Sequence, residues 1–327
     1  MLVRTGGKAP LTFVFGLAIL FLVVLLNRYA ASSGMLPNTT TIKNSFAASF
    51  GTGRSVKAFM DRSERLWQKT VQQRHELRDK NYNGQDIGFF PARDGPSYFT
   101  WYFSIWDLIP ASYNCPHEIE RIGRMGDGGK WVCGMHRYET KKPCILYSFG
   151  IQNESSFEQE MLERTNCEIF GYDFSVSDFG KALKPEFSDR AHFKQAGISG
   201  VSKPQNNPPF YTIQDLMAQN GHDYIDILKI DIEYAEFDAL SSLNAWANGN
   251  MEFPIGQMLI EIHLFQNQPI TPITFLDWWG SLEARGLRPV WTEPNLLAVT
   301  IHLEDSQPRL AEYSLINIHD KRNVLYH

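Results

Sequence analysis

Four ionisable side chains stand in two pairs with the same spacing. Asp231 and Glu233 are two positions apart, and so are Glu261 and His263. On extended backbone, residues i and i+2 face the same side, so each pair can present both groups to one site. Carboxylates can hold a hard divalent cation, and a histidine or a carboxylate can remove the proton of a substrate hydroxyl.

These two chemistries assign candidate roles to the four side chains. Asp231 and Glu233 are candidate metal ligands, and Asp231, Glu261 and His263 are candidate catalytic residues. Two non-functional alternatives compete with these roles: Asp231 could cap the helix that follows it, and His263 could be a core histidine bonded to the backbone. A glutamate in an apolar strand, such as Glu261, is costly unless it is paired, which favours a site.

Both pairs lie at the ends of predicted strands. Residues 224–230 are mostly β-branched or apolar, and residues 256–264 (GQMLIEIHL) form another apolar run, as expected for buried parallel strands. Consecutive strands are usually neighbours, and ligands of open α/β sheets bind beyond the carboxyl ends of the strands. We therefore expect the two pairs to meet at one edge of a sheet.

An earlier part of the chain has the pattern of a nucleoside site. Residues 144–149 (CILYSF) are followed by Gly150 and a helix-like stretch at 157–165, and a further apolar run at 167–174 contains Asp173, 23 positions beyond Gly150. An acid at that place can accept hydrogen bonds from ribose hydroxyls, although it could also be a plain surface turn residue. Because no GxGxxG motif is present, a cofactor without a pyrophosphate is favoured.

A glycine-rich segment, GDGGKW, precedes these strands. Asp127, Gly128 and Gly129 permit positive φ angles and a close backbone approach. The segment predicts either a hairpin turn ahead of a strand that begins at Trp131 or a loop that closes over a cofactor. These three residues are therefore candidate cofactor-binding residues.

The remaining periodicity completes an α/β pattern. Further predicted strands cover residues 191–198, 287–292 and 313–319, and further predicted helices cover residues 212–219, 235–246 and 271–285. Strands that alternate with helices indicate parallel pairing with helices on both faces. We therefore predict an α/β fold with a doubly wound, Rossmann-like sheet.

The N-terminus carries a membrane signal. Residues 11–26 contain no charge, and basic residues precede them. The segment is just long enough to span a thin membrane, and its flanking charges favour a cytoplasmic N-terminus; a cleaved signal peptide is the alternative. The predicted organisation is a cytoplasmic tail at 1–10, a transmembrane signal anchor at 11–29, a stem at 30–96 and a catalytic domain at 97–327.

Two segments near the proposed domain boundary have their own patterns. Residues 55–80 are charged and lack proline and glycine, which predicts a solvated stem helix. Residues 97–110 are rich in aromatic side chains, which predicts a helix packed on the core or an aromatic wall for a flat ligand such as a sugar.

Three sequence features bear on the compartment and the partners: the cysteines, the glycosylation acceptor triplets and the net charge. Four cysteines allow one or two disulfides in an oxidising compartment, although Cys144 and Cys167 begin predicted buried strands, where a free cysteine is ordinary. Asn38 and Asn153 begin glycosylation acceptor triplets. The formal net charge of −5 and the lack of basic blocks argue against a nucleic-acid partner.

Four segments carry a resemblance to a known family. In chain order, CILYSFGIQNESSFEQEM, CEIFGYDFS, DILKIDIEYAEFDAL and QMLIEIHL resemble class I S-adenosylmethionine-dependent methyltransferases, and more narrowly the methyltransferase-22 domain and FkbM-like group, over roughly residues 116–318. The resemblance implies a methyl donor held by the turn at Phe149 and Gly150, with Asp173 on its ribose and Asp231 near donor and acceptor. One departure is Tyr234, which stands where that group usually has glycine.

These features predict an S-adenosylmethionine-dependent O-methyltransferase that is anchored in the Golgi or endoplasmic reticulum membrane and faces the lumen. The acceptor is expected to be a hydroxyl on a glycan or a secreted small molecule, an expectation that rests on layout alone. His263 or Asp231 is the predicted base. The alternatives are a metal-dependent luminal glycosyltransferase that uses Asp231 and Glu233, and a non-catalytic binding module on a methyltransferase fold.

Overall fold

The computed structural model describes residues 56–81, 105–248, 252–265, 268–296 and 308–326. The predicted anchor, the acceptor triplet at Asn38 and the stem residues 30–55 lie outside these ranges. Within the ranges described, no helix has both the length and the apolar character needed to cross a membrane.

A seven-stranded mixed sheet, built from the described residues, organises the chain. The strands are β1 (Ile119–Ile122), β2 (Lys130–Cys133), β3 (Ile145–Phe149), β4 (Glu168–Asp173), β5 (Ala191–Gln195), β6 (Gly197–Ile198), β7 (Phe210–Tyr211), β8 (Ile225–Ile230), β9 (Ile255–His263), β10 (Leu287–Pro294) and β11 (Leu310–Asn317). The helices are α1 (Val56–Asn81), α2 (Ile105–Leu108), α3 (Met135–Glu139), α4 (Ser156–Arg164), α5 (Ile213–Asn220), α6 (Glu236–Trp246) and α7 (Pro272–Ala284).

The strand order of the main sheet is β10-β11-β9-β8-β3-β4-β5. Strands β3, β4, β5, β8 and β9 pair in parallel, and β11 inserts antiparallel between β9 and β10. The parallel strands need helical crossovers, which place helices on the faces of the sheet. The predicted doubly wound, Rossmann-like sheet is therefore confirmed.

Apolar side chains cover both faces of this sheet. One buried cluster joins the sheet to α5, α6 and α7. The other joins the opposite face to α4 and to the β1–β2 hairpin. Strand β8 is buried at each of its positions, which explains its mostly apolar character; its two charged side chains, Asp226 and Lys229, are buried as well. The hairpin alternative predicted for the glycine-rich segment is confirmed, since β1 and β2 pair antiparallel on either side of it.

Two disulfides tie the domain together: Cys115 bonds Cys133, and Cys144 bonds Cys167. Of the alternatives that the sequence left open, two disulfides are confirmed, and the alternative of free cysteines at Cys144 and Cys167 is wrong. These two cysteines directly precede β3 and β4, which are parallel neighbours. Both cysteines therefore lie at the same edge of the sheet, with their Cα atoms 4.4 Å apart.

Helix α1 forms where the sequence predicts a helix, but it is not a solvated stem. The Arg74 guanidinium makes a buried ion pair with Glu283 of α7, and Trp67 Nε1 donates to the same glutamate at 3.1 Å. Arg288 of β10 pairs with Glu64 at 2.9 Å. The helix therefore packs against α7 and β10, although the sequence analysis had placed it in the stem.

Only part of the aromatic segment predicted as a helix falls within the described residues. Its last turn is α2, where Trp106 packs edge-on against Phe275, with ring centroids 6.1 Å apart, and lies 6.2 Å from Tyr313. For Trp106 the core-packing alternative is confirmed. Residues 97–104, which hold the other aromatic side chains, lie outside the described ranges.

Candidate functional site

Four carboxylates stand side by side at one edge of the sheet. The register places Glu293 of β10 opposite Glu312 of β11, and Glu312 opposite Glu261 of β9. Ile230 pairs with Ile260, so Asp231 follows beside Glu261. Sequence reasoning predicted the meeting of Asp231 with Glu261 but missed Glu312 and Glu293, because it did not place β11 between β9 and β10.

A buried lysine from the glycine-rich hairpin serves as the counter-ion of this row. Lys130, whose side chain is 2% exposed, donates to Asp231 Oδ2 at 3.2 Å and also to Glu312 Oε1. Burial alone would lower the pKa of Lys130, but Glu312 and Asp231 outweigh it and hold that pKa above its usual range. The sequence analysis gave Lys130 no role, although its place directly after two glycines was the available signal.

Asp231 and Glu261 are neighbours that differ in protonation state at neutral pH. Burial raises the pKa of Asp231, but the ammonium groups of Lys130 and Lys229 outweigh it and bring that pKa down to about 2. Burial, together with the charge of Asp231, raises the pKa of Glu261 to about 8. At neutral pH the proton of this pair therefore resides mainly on Glu261, and Asp231 is the anion. Asn295 Nδ2 donates to Glu261 Oε1 at 2.8 Å.

His263 is buried and oriented by an acid that the sequence analysis did not single out. Glu236, at the start of α6, accepts from the backbone N–H of His263 at 2.8 Å and from its ring Nδ1 at 3.2 Å. Because the ring is bonded to a carboxylate, the alternative of a core histidine satisfied by the backbone does not hold. Burial lowers the pKa of His263, but Glu236 outweighs it and raises that pKa to about 9.

The protonation of His263 limits its predicted role as a base. An imidazole that carries its proton at neutral pH cannot accept another, so His263 must lose a proton before it can act. Its Nε2 faces Glu233 Oε2 at 3.6 Å, Asp231 Oδ1 at 3.7 Å and Glu261 Oε2 at 3.9 Å. Asp231 is already ionised and is the better placed of the two predicted bases.

The turn after β8 adopts a strained backbone. Glu233 has φ +53° and Tyr234 has φ +83°, in the region that favours glycine. Tyr234 holds this conformation with its ring packed against Phe237, the centroids 5.0 Å apart. Helix α6 is preceded by Ala235, with no side-chain cap bond. The alternative that Asp231 merely caps this helix is therefore wrong.

Gly150 and Asp173 together build the turn after β3. Gly150 has φ +72°, and an added Cβ would lie 1.6 Å from the Asp231 carbonyl oxygen, so only glycine fits. Asp173 accepts from the N–H groups of Ile151 and Gln152 at 2.8 and 2.7 Å, and from both the N–H and the hydroxyl of Ser175. These bonds outweigh burial and hold the pKa of Asp173 below its usual range.

The predicted cofactor residues contribute in different ways. Asp173 visibly holds the turn, and its role toward a ribose stays a prediction. Phe149 is fully buried and offers the site only its backbone carbonyl, which accepts from the Asp231 N–H at 3.1 Å. Gly129 serves the hairpin, since a Cβ there would lie 2.2 Å from the Arg124 carbonyl oxygen.

Two adjoining cavities share Gly150, Gln152, Asp231 and Glu233. One, of about 220 Å³, is lined by residues that include Asp173, Phe174, Gly197 and Phe210. The other, of about 140 Å³, is lined by residues that include Asp127, Gly128, Lys229, Glu261 and His263. Together they reach the lower end of the usual range of ligand sites, roughly 300–1,000 Å³. The first and larger cavity has an exposed aromatic edge: the Phe174 ring lies 5.6 Å from that of Phe210. Because the family resemblance implies a methyl donor at Gly150, we call it the donor cavity.

Two groups of side chains at this edge could hold a metal ion. Asp231, Glu233 and His263 form one, which contains the predicted metal ligands, and Asp127, Asp231 and Glu261 form the other. In each group, one ligand atom per residue lies within 4.8 Å of the others.

Comparison with known proteins identifies related sequences. A family model described as "Methyltransferase domain" matches residues 49–304. The probable methyltransferase-like protein 24 of Rattus norvegicus is 28% identical over 137 residues, which cover 39% of this chain and 35% of that protein. The Homo sapiens protein of the same description is 28% identical over 131 residues, which cover 38% of this chain and 33% of that protein. The match thus spans about a third of these relatives.

Solved structures overlap the chain in part. Fibrillarin from Methanococcus jannaschii is 12% identical, covers 54% of this chain and 67% of its own, and has a TM-score of 0.31. Fibrillarin from Aeropyrum pernix, solved with natively bound S-adenosyl-L-methionine, is 14% identical, covers 55% of this chain and 68% of its own, and has a TM-score of 0.32.

Proposed function

This chain belongs to the methyltransferase domain family of S-adenosylmethionine-dependent enzymes, and from that premise we propose that it methylates a hydroxyl oxygen of a glycan or a secreted small molecule. The observation that carries the proposal is the place of Asp231, which borders both cavities. A donor in one cavity and an acceptor in the other would meet at this carboxylate.

The residues of the donor cavity fit S-adenosylmethionine. Gly150 lets the chain approach closely, and the exposed Phe174 ring offers a flat surface for an adenine. Gly197 lets the Phe210 ring pack directly on the backbone at this cavity, since a Cβ there would lie 2.2 Å from that ring. When bound, this cofactor supplies an electrophilic methyl group on a positively charged sulfur.

The chain's own contribution is alignment and removal of a proton. Asp231 is ionised at neutral pH and can accept the proton of the acceptor hydroxyl as the new oxygen–carbon bond forms. The bond between the methyl carbon and the donor sulfur would break in the same step and leave a neutral thioether. Lys130 holds one carboxylate oxygen of Asp231, which fixes the direction of the other. Fixing reacting groups in place lowers the barrier by removing the entropy cost of their encounter.

The lumen of the Golgi or endoplasmic reticulum, with membrane attachment through residues 11–29, remains our proposal for the compartment. Its support is the uncharged N-terminal run and the two disulfides, which belong to oxidising compartments. The exposed Asn153, which begins an acceptor triplet, is consistent with it.

Donor binding and methyl transfer test the proposal separately. We expect titration of the full-length protein with S-adenosylmethionine to give binding heat, and a labelled methyl group to pass from the donor to a glycan or small-molecule fraction. No binding at millimolar donor would contradict the proposed activity, as would manganese-dependent binding of a nucleotide sugar in its place. Binding without transfer to any acceptor class would indicate a non-catalytic module.

A further inference from the structure

The side chain of His263 has one ring nitrogen fixed and the other without a hydrogen bond. Glu236 holds Nδ1, and the whole side chain is 1% exposed. Among the described residues, the polar atoms that face Nε2 are carboxylate oxygens at 3.6 to 3.9 Å, beyond hydrogen-bond distance. His263 lines the smaller cavity, so a group bound there can reach Nε2.

A carboxylate behind a histidine is the usual support of a metal-binding imidazole. The acid accepts a proton from one ring nitrogen, fixes the tautomer and turns the other nitrogen toward the ion. Glu236 meets this description, because it is fully buried and bonds both the ring and the backbone of His263.

The two carboxylate oxygens of Asp231 have different cationic neighbours. Lys130 lies on Oδ2, whereas Oδ1 faces His263 Nε2. The nearby Lys229 is already engaged by Glu158 at 3.3 Å and by the Gly150 carbonyl at 3.0 Å. Among the described residues, the cationic group beside Asp231 Oδ1 and Glu233 is therefore His263 itself, whose Nε2 lies 3.7 and 3.6 Å from them, and a divalent ion would replace its ring proton.

The second group of possible ligands is less suited to an ion. In that group Lys130 already occupies the space beside Asp231, and Glu261 accepts from Asn295. Its remaining member, Asp127, is exposed. A cation there would have to compete with a buried ammonium group.

We propose that Asp231 Oδ1, a Glu233 carboxylate oxygen and His263 Nε2 bind a divalent transition-metal ion, with Glu236 orienting the histidine. The ion would hold the acceptor hydroxyl beside the donor cavity and, because it would occupy Asp231 Oδ1, would itself promote loss of the hydroxyl proton to water. This deepens the function proposed above and rests on it. One imidazole with two carboxylates favours Mn²⁺, Fe²⁺ or Zn²⁺ over Ca²⁺, whose ligands are oxygen atoms.

The distances are close to those of a bound site. With metal–ligand bonds of about 2.1 Å, adjacent ligand atoms lie about 3.0 to 3.4 Å apart. The observed separations of 3.6 and 3.7 Å require only a small inward rotation of Glu233 and Asp231. The Glu233 side chain is 58% exposed and has room for this movement.

Mn²⁺ binding to the full-length protein, stripped of metal with a chelator, tests the site. Calorimetry or the paramagnetic resonance signal of free Mn²⁺ should give one ion per chain. Glu233→Gln and His263→Ala should each weaken binding at least tenfold, and Glu236→Gln should weaken it by about tenfold. Because Glu233 is largely exposed, Glu233→Gln keeps the test valid even if His263→Ala fails to fold.

Asp127→Asn is the discriminating control. It should retain Mn²⁺ binding, because Asp127 belongs only to the rival group. No binding of Mn²⁺ to the wild type at millimolar concentration would overturn the inference, as would loss of binding in Asp127→Asn with retention in Glu233→Gln. Donor titration of the same samples separates the two proposals: donor binding without Mn²⁺ binding refutes the metal site alone, and the reverse refutes the proposed activity alone.

Discussion

At the scale of single residues, Gly150 couples the two halves of the site, because its backbone passes against the Asp231 carbonyl. Gly150→Ala should destabilise the fold and abolish donor binding, since the added Cβ would lie 1.6 Å from that oxygen. Gly221→Ala is the matched control: its φ of +73° is nearly the same, but no atom lies within 4 Å of the added carbon. The control should cost only the conformational penalty, about 1–2 kcal/mol, in urea unfolding.

The Gly150 prediction has a clear contradicting result. Equal losses of stability in the two variants would mean that the contact with Asp231 has no consequence. Unchanged donor affinity in Gly150→Ala would remove this turn from the proposed cofactor site.

Asp173 gives the turn a dependence on pH. Its pKa is lowered in the folded protein, so its contribution to stability is present above its unfolded value, near pH 4, and is lost as the pH falls through the folded value. Asp173→Asn should lose about 2 kcal/mol at pH 7, because bonds to a charged acceptor are replaced. The free energy of unfolding of the Asp173→Asn variant should then change less between pH 5 and pH 2 than that of the wild type.

Urea unfolding across this pH range measures the effect. Asp178→Asn is the control, since Asp178 is exposed and accepts from the Gly180 N–H at 2.7 Å. If both variants follow the wild-type pH curve, Asp173 does not contribute in the way described.

At the scale of elements, helix α1 depends on polar contacts. Arg74→Ala should cost about 3–5 kcal/mol, because Glu283 would be left buried without its partner. Arg78→Ala, one turn farther along the same helix, should change stability by less than about 1 kcal/mol, because its pair with Asp277 is exposed. Thermal and urea unfolding compare the two, and a similar small loss in both would mean that α1 is only loosely docked.

The elements also explain which parts of the structure sequence reasoning could reach. The strands that carry Asp231 and His263 are apolar runs with a turn at the end, so their existence and their common edge followed from local pattern. Helix α1 docks through Arg74 and Trp67. Its apolar residues do not recur at regular helical spacing, so the sequence pattern did not predict a buried face. Lys130 and Glu312 meet only because a hairpin folds onto a strand near the end of the chain, a relation that no local pattern contains.

At the scale of the whole molecule, the disulfides constrain where the protein can be stable. The bond between Cys144 and Cys167 closes a separation of 23 residues, and such loops contribute about 3 kcal/mol. Cys144→Ser with Cys167→Ser should therefore lower the free energy of unfolding by about this amount. A second variant, in which Cys115 and Cys133 are replaced as well, should unfold at the same urea concentration with and without reductant.

The control for the disulfide prediction is the wild type under reductant. Under reductant the wild type should lose stability, whereas the variant with all four cysteines replaced should not. Insensitivity of the wild type to a strong reductant, in unfolding conditions that expose the bonds, would contradict the presence of the disulfides.

The row of carboxylates has a consequence for the order in which the chain is made. Lys130 is synthesised 182 residues before Glu312, which shares it with Asp231. Strand β11 must enter between β9 and β10 before β10 can join the sheet. Neutralisation of the acids and closure of the sheet are thus one event, and a nascent chain stopped before Leu310 would hold every predicted catalytic side chain yet have no finished site.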